Sequence, residues 1–305
     1  MEALWWNEGE LGLYHFDEID ATRKILYPWL RDSLATKLGP AGKHLSIPTK
    51  LKGEKRILSA DLALIPGQHN DATSIFITQL QPGTAGKYAR NVVYMETWEG
   101  WHTSDQALAI RKLFAEYDCD YITIDCKGVG LGIVDLLMRD QYDPQTGLTY
   151  PALASCNDLM AHRNQPGAAK VLWPVAGSPN FNSDCALALR ESFRNGSIRL
   201  LISDYDCEDE LFKLQGYTKL DQDVQMRMKL PYQETTLLIN ELVKLEYEAK
   251  GNVVKIKERP GMRKDRYSSL SYNNYVANQL ERNLLKRNNN IGFAPMFSFR
   301  KPNIR

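Results

Sequence analysis

Apolar residues occur along the chain either in short β-rich runs or at helical spacing, and these two patterns predict its strands and helices. Ile57–Ile65 and Thr73–Gln79 are short β-rich runs separated by turn residues, so they predict a hairpin. Apolar residues at helical spacing follow Ser104 and predict a helix through Tyr117. The other predicted strands are Asn91–Thr97, Tyr121–Cys126, Val171–Val175, Ile198–Ile202 and Val253–Lys257, and the other predicted helices are Asp20–Lys37, Ile133–Gln141, Ser183–Arg194, Thr235–Lys250 and Asp265–Arg287.

This order of elements predicts an α/β fold. Antiparallel strands come first and are followed by alternating strands and helices, which favours a mixed β-sheet with helices on both faces. We expect one core within residues 51–290, an irregular lead-in over residues 1–50 and a basic tail over residues 291–305.

Composition excludes several classes of protein. The 305 residues are 43% hydrophobic and 25% charged, as in ordinary soluble domains, and no run is long enough for a transmembrane helix. The N-terminus carries acids where an export signal would be basic. Five cysteines without a CxxC pair argue against a disulfide framework or a zinc site and favour a reducing cytosol.

Charge is unevenly distributed along the chain. The net charge is only +1, but residues 250–305 hold thirteen Lys or Arg against three acids. A basic segment on a neutral protein is consistent either with contact to a polyanion such as nucleic acid or with a solvated basic tail.

Two carboxylates lie where a strand should be apolar. Asp61 falls within the run Ile57–Ile65, and Asp125 falls within Tyr121–Cys126. A buried ionised carboxylate is costly unless it is paired, and divalent cations such as Mg²⁺ or Mn²⁺ offer that compensation. Each residue alone is also compatible with a hydrogen-bonded strand end, but two such acids on neighbouring strands make a metal site a real alternative.

Two more acids are candidates with strong structural alternatives. Asp265 opens the last predicted helix, where Asp is a good capping or first-turn residue. Asp71 lies in the turn of the predicted hairpin and either contacts a metal or only forms the turn, with the turn favoured.

The glycines after Asp125 suggest a nucleotide site but do not fit one. Gly128, Gly130 and Gly132 follow a strand and precede a helix, yet their spacing departs from the dinucleotide fingerprint. Gly39–Lys43 lacks the spacer and hydroxyl of a phosphate loop. A tight turn beside a metal site explains the glycines after Asp125 better.

The motifs in order resemble the nuclease domain of the large terminase subunit of tailed bacteriophages. They are Asp61 on a strand, Asn70-Asp71-Ala72-Thr73 in a hairpin, Asp125 followed by glycines and a helix, and Lys264-Asp265-Arg266 at a helix start. The resemblance covers about residues 55–280 and implies a ribonuclease H-like fold. It also implies that Asp61, Asp125 and Asp265 bind two Mg²⁺ or Mn²⁺ ions, with Asp61 bridging both ions, and hydrolyse DNA phosphodiesters.

The resemblance carries expectations about partners as well. It implies a nuclease that cuts concatemeric phage DNA in the cytoplasm of the host and works with an ATPase motor domain, a portal and a small terminase subunit. No Walker A loop precedes the predicted nuclease, so we expect residues 1–50 to be a linker remnant of the missing ATPase motor. The sequence leaves open whether that motor has been truncated from this chain or is separately encoded.

Contact with double-stranded DNA is expected from the basic segment beside the third acid. Phosphate contacts of this kind give affinity without sequence reading. The candidate residues are Lys255, Lys257, Arg259, Arg263, Lys264 and Arg266.

Two other functions remain open at the level of sequence. A Holliday junction resolvase or a ribonuclease H would share the acidic cluster and differ in substrate, namely a four-way junction or an RNA–DNA hybrid. A non-catalytic module that docks DNA or a portal would keep the acids only for structure, and divalent metal would then leave its stability unchanged.

Overall fold

An eight-stranded sheet forms the centre of the protein. The computed structural model describes residues 12–63, 72–83, 86–251, 253–257 and 262–291, the last six of these by backbone alone. In order across the sheet, the strands are β1 Arg23–Ile25, β10 Ile198–Leu201, β4 Tyr88–Trp98, β3 Thr73–Pro82, β2 Lys55–Asp61, β5 Tyr121–Asp125, β9 Ala169–Val175 and β8 Leu153–Ser155. Two small hairpins lie outside it: β6 Gln141–Tyr142 with β7 Thr149–Tyr150, and β11 Glu246–Lys250 with β12 Val253–Lys257.

The sheet is mixed in the way the sequence predicts. Strand β3 is antiparallel to both of its neighbours, β2 and β4, whereas the other paired strands of the sheet are parallel. The order β4-β3-β2-β5-β9 therefore joins three consecutive antiparallel strands to two parallel ones. This arrangement confirms the predicted α/β class with a mixed β-sheet.

Helices cover both faces of the sheet. Alternate side chains of β2 point to opposite faces of the sheet. Leu58 and Ala60 join the core on the side of α3 (Thr103–Glu116) and α4 (Val129–Leu137), whereas Ile57 packs with Val276 of α8 (Asp265–Ile291). None of the helices in the described ranges is long and apolar enough to span a membrane. The helices are α1 Phe16–Asp20, α2 Asp32–Ala35, α3 Thr103–Glu116, α4 Val129–Leu137, α5 Pro179–Arg194, α6 Asp206–Phe212, α7 Gln222–Lys244 and α8 Asp265–Ile291.

Two predicted helices are wrong. The helix expected over Asp20–Lys37 is replaced by the end of α1, the edge strand β1 and α2. The helix expected over Thr235–Lys250 ends at Lys244, and Glu246–Lys250 pair with β12 as strand β11. Glu, Ala and Lys are good helix formers, but pairing across the Gly251 turn overrides their local preference.

The segment expected to be an irregular lead-in is packed into the same body as the sheet. Leu13, Tyr14 and Ile19 are buried in a core shared with α5, α7 and α8. Strand β1 pairs in parallel with β10 at the sheet edge. The described part of residues 1–50 is thus integral to the fold, and its relation to any motor domain stays a prediction.

Candidate metal and DNA site

Asp61 and Asp125 end two neighbouring parallel strands. The register pairs Ala60 with Ile124, so the two acids occupy the next position on β2 and β5. Side chains alternate along a strand, which places Asp61 on the same face as Ser59, the face covered by α8. The predicted approach of these two strand acids is therefore present in the structure.

The glycine-rich turn after Asp125 holds that strand end in place. Gly128 has a φ of +57°, which favours glycine, and Gly130 lies so close to the Asp125 carbonyl that a Cβ there would collide with it. The backbone N–H of Lys127 donates to Asp125 Oδ1 over 3.0 Å. The glycines thus serve a close backbone approach, as the sequence suggests.

Asp265 is brought to the same end of the sheet as the first residue of α8. Its Oδ2 accepts a hydrogen bond of 3.0 Å from the backbone N–H of Ala72, just before β3. Three residues later on the same helix face, Ser268 donates a hydrogen bond to Asp61. The first turn of α8 therefore lies beside the end of β2.

The electrostatics of Asp61 reflect this convergence of acids. Burial, followed by the charges of Asp265 and Asp125, raises the pKa of Asp61 to about 8, although hydrogen bonds from Ser268 and the Leu62 N–H offset part of the rise. Asp61 thus lies close enough to Asp265 and Asp125 for their charges to interact, and this repulsion adds to burial in disfavouring its ionised form.

The pKa of Asp125 is also raised, as the net result of opposing effects. Burial raises it, while the N–H and charge of Lys127 and a hydrogen bond from Tyr272 act in the opposite direction. The Tyr272 hydroxyl lies 3.5 Å from Asp125 Oδ2. Asp125 is therefore held by the turn after β5 and by α8 together.

The chemistry of the three acids fits a hard divalent cation. Carboxylate oxygens are the ligands that Mg²⁺ and Mn²⁺ prefer, and a cation would relieve the repulsion that raises the pKa of Asp61. Within the described ranges, no three or more His, Cys, Asp or Glu residues are already gathered tightly enough to hold a metal ion. The acids are thus electrostatic neighbours rather than a closed ligand set, and Asp71 lies outside the described residues.

A cleft of about 770 Å³ opens beside Asp61 and Asp125, both of which line it. Its other walls come from the start of α5, the β11–β12 hairpin and α8. Asp265 is not among the lining residues. The lining also includes Ser178, Asn182, Lys250, Lys255, Lys264, Ser268 and Tyr272.

The predicted DNA-binding residues divide into different groups. Lys255 and Lys264 line the cleft. Lys257 forms an ion pair with Glu248, with 2.8 Å between Nζ and Oε2, and its side chain is half exposed. Arg263 pairs with Glu99 over 2.8 Å, and Arg259 lies outside the described residues.

Arg266 is a correction to the predicted DNA-binding set. Only 6% of the residue is exposed, so its guanidinium is not available to a phosphate on the surface. Its Nε donates to Glu234 over 2.7 Å and its Nη1 donates to Glu241 over 2.8 Å. A run of basic residues in the sequence does not reveal which member turns into the protein.

Sequence reasoning missed several residues of the cleft, among them Lys250, Ser268 and Tyr272. Lys250 could have been found, because polar and apolar residues alternate over 246–250 and predict a strand that pairs with the predicted strand from Val253. Ser268 and Tyr272 follow Asp265 at helical spacing, which places all three on one side of α8.

Comparisons with known proteins found similar solved structures but no matching family. No family model and no curated protein matches the chain. The large terminase nuclease from thermophilic phage G20c with bound magnesium is 14% identical, with a TM-score of 0.47 over 88% of this chain and 98% of that chain. The nuclease domain of the large terminase subunit of bacterial virus Sf6 is 11% identical, with a TM-score of 0.45 over 85% and 96%. Related structures contain cobalt, calcium or manganese. Solved structures to which this chain is similar thus include large terminase nuclease domains.

Proposed function

We propose that this protein is a metal-dependent endodeoxyribonuclease in which Asp61, Asp125 and Asp265 hold divalent cations. The observation that supports this most strongly is the carboxyl group of Asp61. Its pKa of about 8, raised by burial and then by the charges of the other two acids, marks a site that lacks compensating positive charge. A structural carboxylate would normally have a cationic or donor partner that outweighs its burial.

The acids and the lysines of the proposed site have different roles. Asp61 and Asp125 hold cations from the strand ends, and Asp265 does so from the start of α8. Divalent cations bound there supply an activated water and stabilise charge on the scissile phosphate. Lys250, Lys255 and Lys264 bind and orient the phosphate backbone along the cleft wall.

The biological setting that we propose follows the order of motifs in the sequence. A nuclease of this kind cuts concatemeric phage DNA in the cytoplasm of the host during packaging. Its partners are double-stranded DNA, an ATPase motor, a portal and a small terminase subunit. The same resemblance implies two Mg²⁺ or Mn²⁺ ions, which Asp61, Asp125 and Asp265 would hold.

Supercoiled plasmid incubated with the protein tests the proposal. The arms are EDTA, Mg²⁺, Mn²⁺ and Co²⁺, each with the wild type and with Asp61→Asn, Asp125→Asn and Asp265→Asn. Asp135→Asn is the matched control, because Asp135 pairs with Arg139 and Arg163 on the surface, outside the cleft. We expect metal-dependent nicking and linearisation in the wild type and the control but not in the three site variants.

Failure has distinct forms. Cutting that survives Asp61→Asn would overturn the assigned site. A folded wild type that cuts in no metal would favour a docking module. A four-way junction and an RNA–DNA hybrid, used as parallel substrates, test the two other nuclease activities, and preference for either over duplex DNA would replace the packaging assignment.

A further inference from the structure

Arg266 is a buried arginine directly after Asp265. Besides Glu234 and Glu241 on α7, its Nη2 reaches Thr97 Oγ1 of β4 over 3.2 Å. Thr97 in turn donates to Glu234 Oε2 over 2.7 Å. One guanidinium therefore ties the first turn of α8 to α7 and to β4.

Burying this ionic network costs desolvation free energy that its ion pairs must offset before they add any stability. Glu234, Glu241 and Arg266 are each 6% exposed, and two carboxylates face one cation. Buried ion networks are often no more stabilising than apolar residues of the same volume, and their best-attested benefit is to fix one geometry among alternatives. The geometry fixed here is that of a helix start.

Helix starts need such fixing. The first N–H groups of a helix have no partner within the helix, and terminal turns open most readily. In α8 the Tyr267 N–H donates to Glu241 Oε2 over 3.2 Å, so the same glutamate holds both Arg266 and the backbone beside it. Asp265 lies one residue before this anchor.

A second anchor lies one turn later, on β2 itself. Ser269 Oγ donates to Ser59 Oγ over 3.1 Å, and Asn273 Nδ2 lies 3.2 Å from the same oxygen. All three residues are buried. Ser59 is two residues before Asp61, so α8 is fixed against the strand that carries the central acid.

We propose that Arg266, through Glu234 and Glu241, is a positioning residue that holds Asp265 within reach of Asp61, so that the acids can share divalent cations. This inference rests on the proposed function, because it assigns a metal role to Asp265. It predicts that disturbing Arg266 weakens metal binding more than its effect on folding explains.

Arg56 provides the matched control. It is a buried arginine in β2 at 1% exposure, bonded through Nε to Glu54 over 2.7 Å, and its Nη1 donates to the Tyr117 carbonyl. It lies near the start of β2, five residues before Asp61. Arg266→Lys and Arg56→Lys each remove a buried guanidinium and keep its positive charge. The first change lies beside the end of β2 that carries Asp61, and the second lies near the start of β2.

The experiment measures Mn²⁺ affinity by calorimetry, plasmid nicking as a function of Mn²⁺, and urea unfolding in EDTA. Removing a residue that orients a metal ligand typically costs about 10–100-fold in metal affinity, so we expect about a tenfold loss in Arg266→Lys. We expect a change of less than about twofold in Arg56→Lys at comparable loss of stability. Excess Mn²⁺ should restore cutting in Arg266→Lys but not in Asp265→Asn.

Several outcomes would overturn the inference. Equal losses of Mn²⁺ affinity in the two arginine variants, or none in either, would make Arg266 merely structural. If Arg266→Lys does not fold, Glu241→Gln keeps the volume and one acceptor, and unchanged Mn²⁺ affinity in that variant would also refute the role. A wild type that neither binds Mn²⁺ nor cuts would instead refute the proposed function, which the wild-type arm reveals independently.

Discussion

The two ends of the β2–β5 pair treat their carboxylates in opposite ways. At the beginning, Asp120 accepts hydrogen bonds from Lys55 Nζ and the Arg56 N–H, both over 2.8 Å, and pairs with Lys50 over 3.0 Å. Burial alone would raise the pKa of Asp120, but these donors outweigh it and lower the pKa. At the other end, the pKa values of Asp61 and Asp125 are both raised.

The difference separates an acid whose burial is fully compensated by donors from two acids whose burial is not. Asp120 is five residues from Asp125, and both border the same short strand. Lysines and a backbone N–H therefore compensate the buried charge of Asp120. The charges of Asp61 and Asp125, where we propose that a metal binds, are only partly compensated. Acids with raised pKa values at one end of a strand pair, together with an acid of lowered pKa at the other end, indicate a candidate site more selectively than one perturbed acid does.

The largest expected effect is on catalysis and contrasts Asp61→Asn with Asp120→Asn. Loss of the central acid should reduce plasmid cutting by at least about a hundredfold, in the range seen when a key electrostatic group is removed from an active site. Asp120→Asn should keep cutting but lower stability, because it leaves Lys50 and Lys55 without their carboxylate. Plasmid nicking and urea unfolding on the same preparations measure both, and loss of cutting in Asp120→Asn would break the comparison.

The next effect is on stability at the balanced end. Arg56→Met leaves Glu54 buried without its cation, and breaking a buried pair in this way costs about 3–5 kcal/mol. Urea unfolding measures the loss, and Mn²⁺ calorimetry on the folded variant should give the wild-type affinity. A clear change in Mn²⁺ affinity would show that the two ends are coupled.

A smaller effect concerns DNA binding. Lys255→Ala removes a cation from the cleft wall, so affinity for duplex DNA should fall and the slope of log affinity against log salt should decrease by about 0.9. Fluorescence anisotropy in EDTA at several salt concentrations measures this slope. Lys24→Ala, on the edge strand β1, is the control and should leave the slope unchanged.

The smallest effect is on the pH dependence of stability without metal. Since the folded pKa of Asp61 is about 8 and its ordinary value is 3.8, the folded state binds more protons between those values, and stability falls as pH rises through that window. Asp61→Asn should remove this fall and stabilise the protein at pH 8 by on the order of 1–2 kcal/mol, because the partly exposed carboxyl feels only a fraction of the full shift. Unfolding midpoints in EDTA at pH 5 and pH 8 test the sign, and an equal fall in the variant would contradict it.

The sequence was sufficient for the parts of the site that violate a local pattern. Asp61 and Asp125 are visible because an acid interrupts an apolar strand, whereas the parallel pairing and register of the two strands came from the structure. Asp265 has no such signal, since aspartate at a helix start is ordinary, and only the order of motifs pointed to it. The role of Arg266 was out of reach, because burial against α7 depends on a contact with residues more than twenty positions away.

The fold was predictable where periodicity and pairing agree. The first two strands form the expected hairpin pair β2 and β3. Strand β5 forms over its predicted apolar run, and the structure adds that it pairs with β2. The prediction failed at β11, where helix-forming residues are held in a hairpin by cross-strand pairing. That error also hid Lys250, because the cleft wall exists only once these residues are read as a strand.

Titration of Mn²⁺ into the wild type and into Asp61→Asn and Asp120→Asn by calorimetry tests the central claim most directly. The account predicts that the wild type and Asp120→Asn bind Mn²⁺ with similar affinity and that Asp61→Asn does not. Binding that is equal in all three proteins, or lost only in Asp120→Asn, would contradict the assignment of the metal site to the carboxyl ends of β2 and β5.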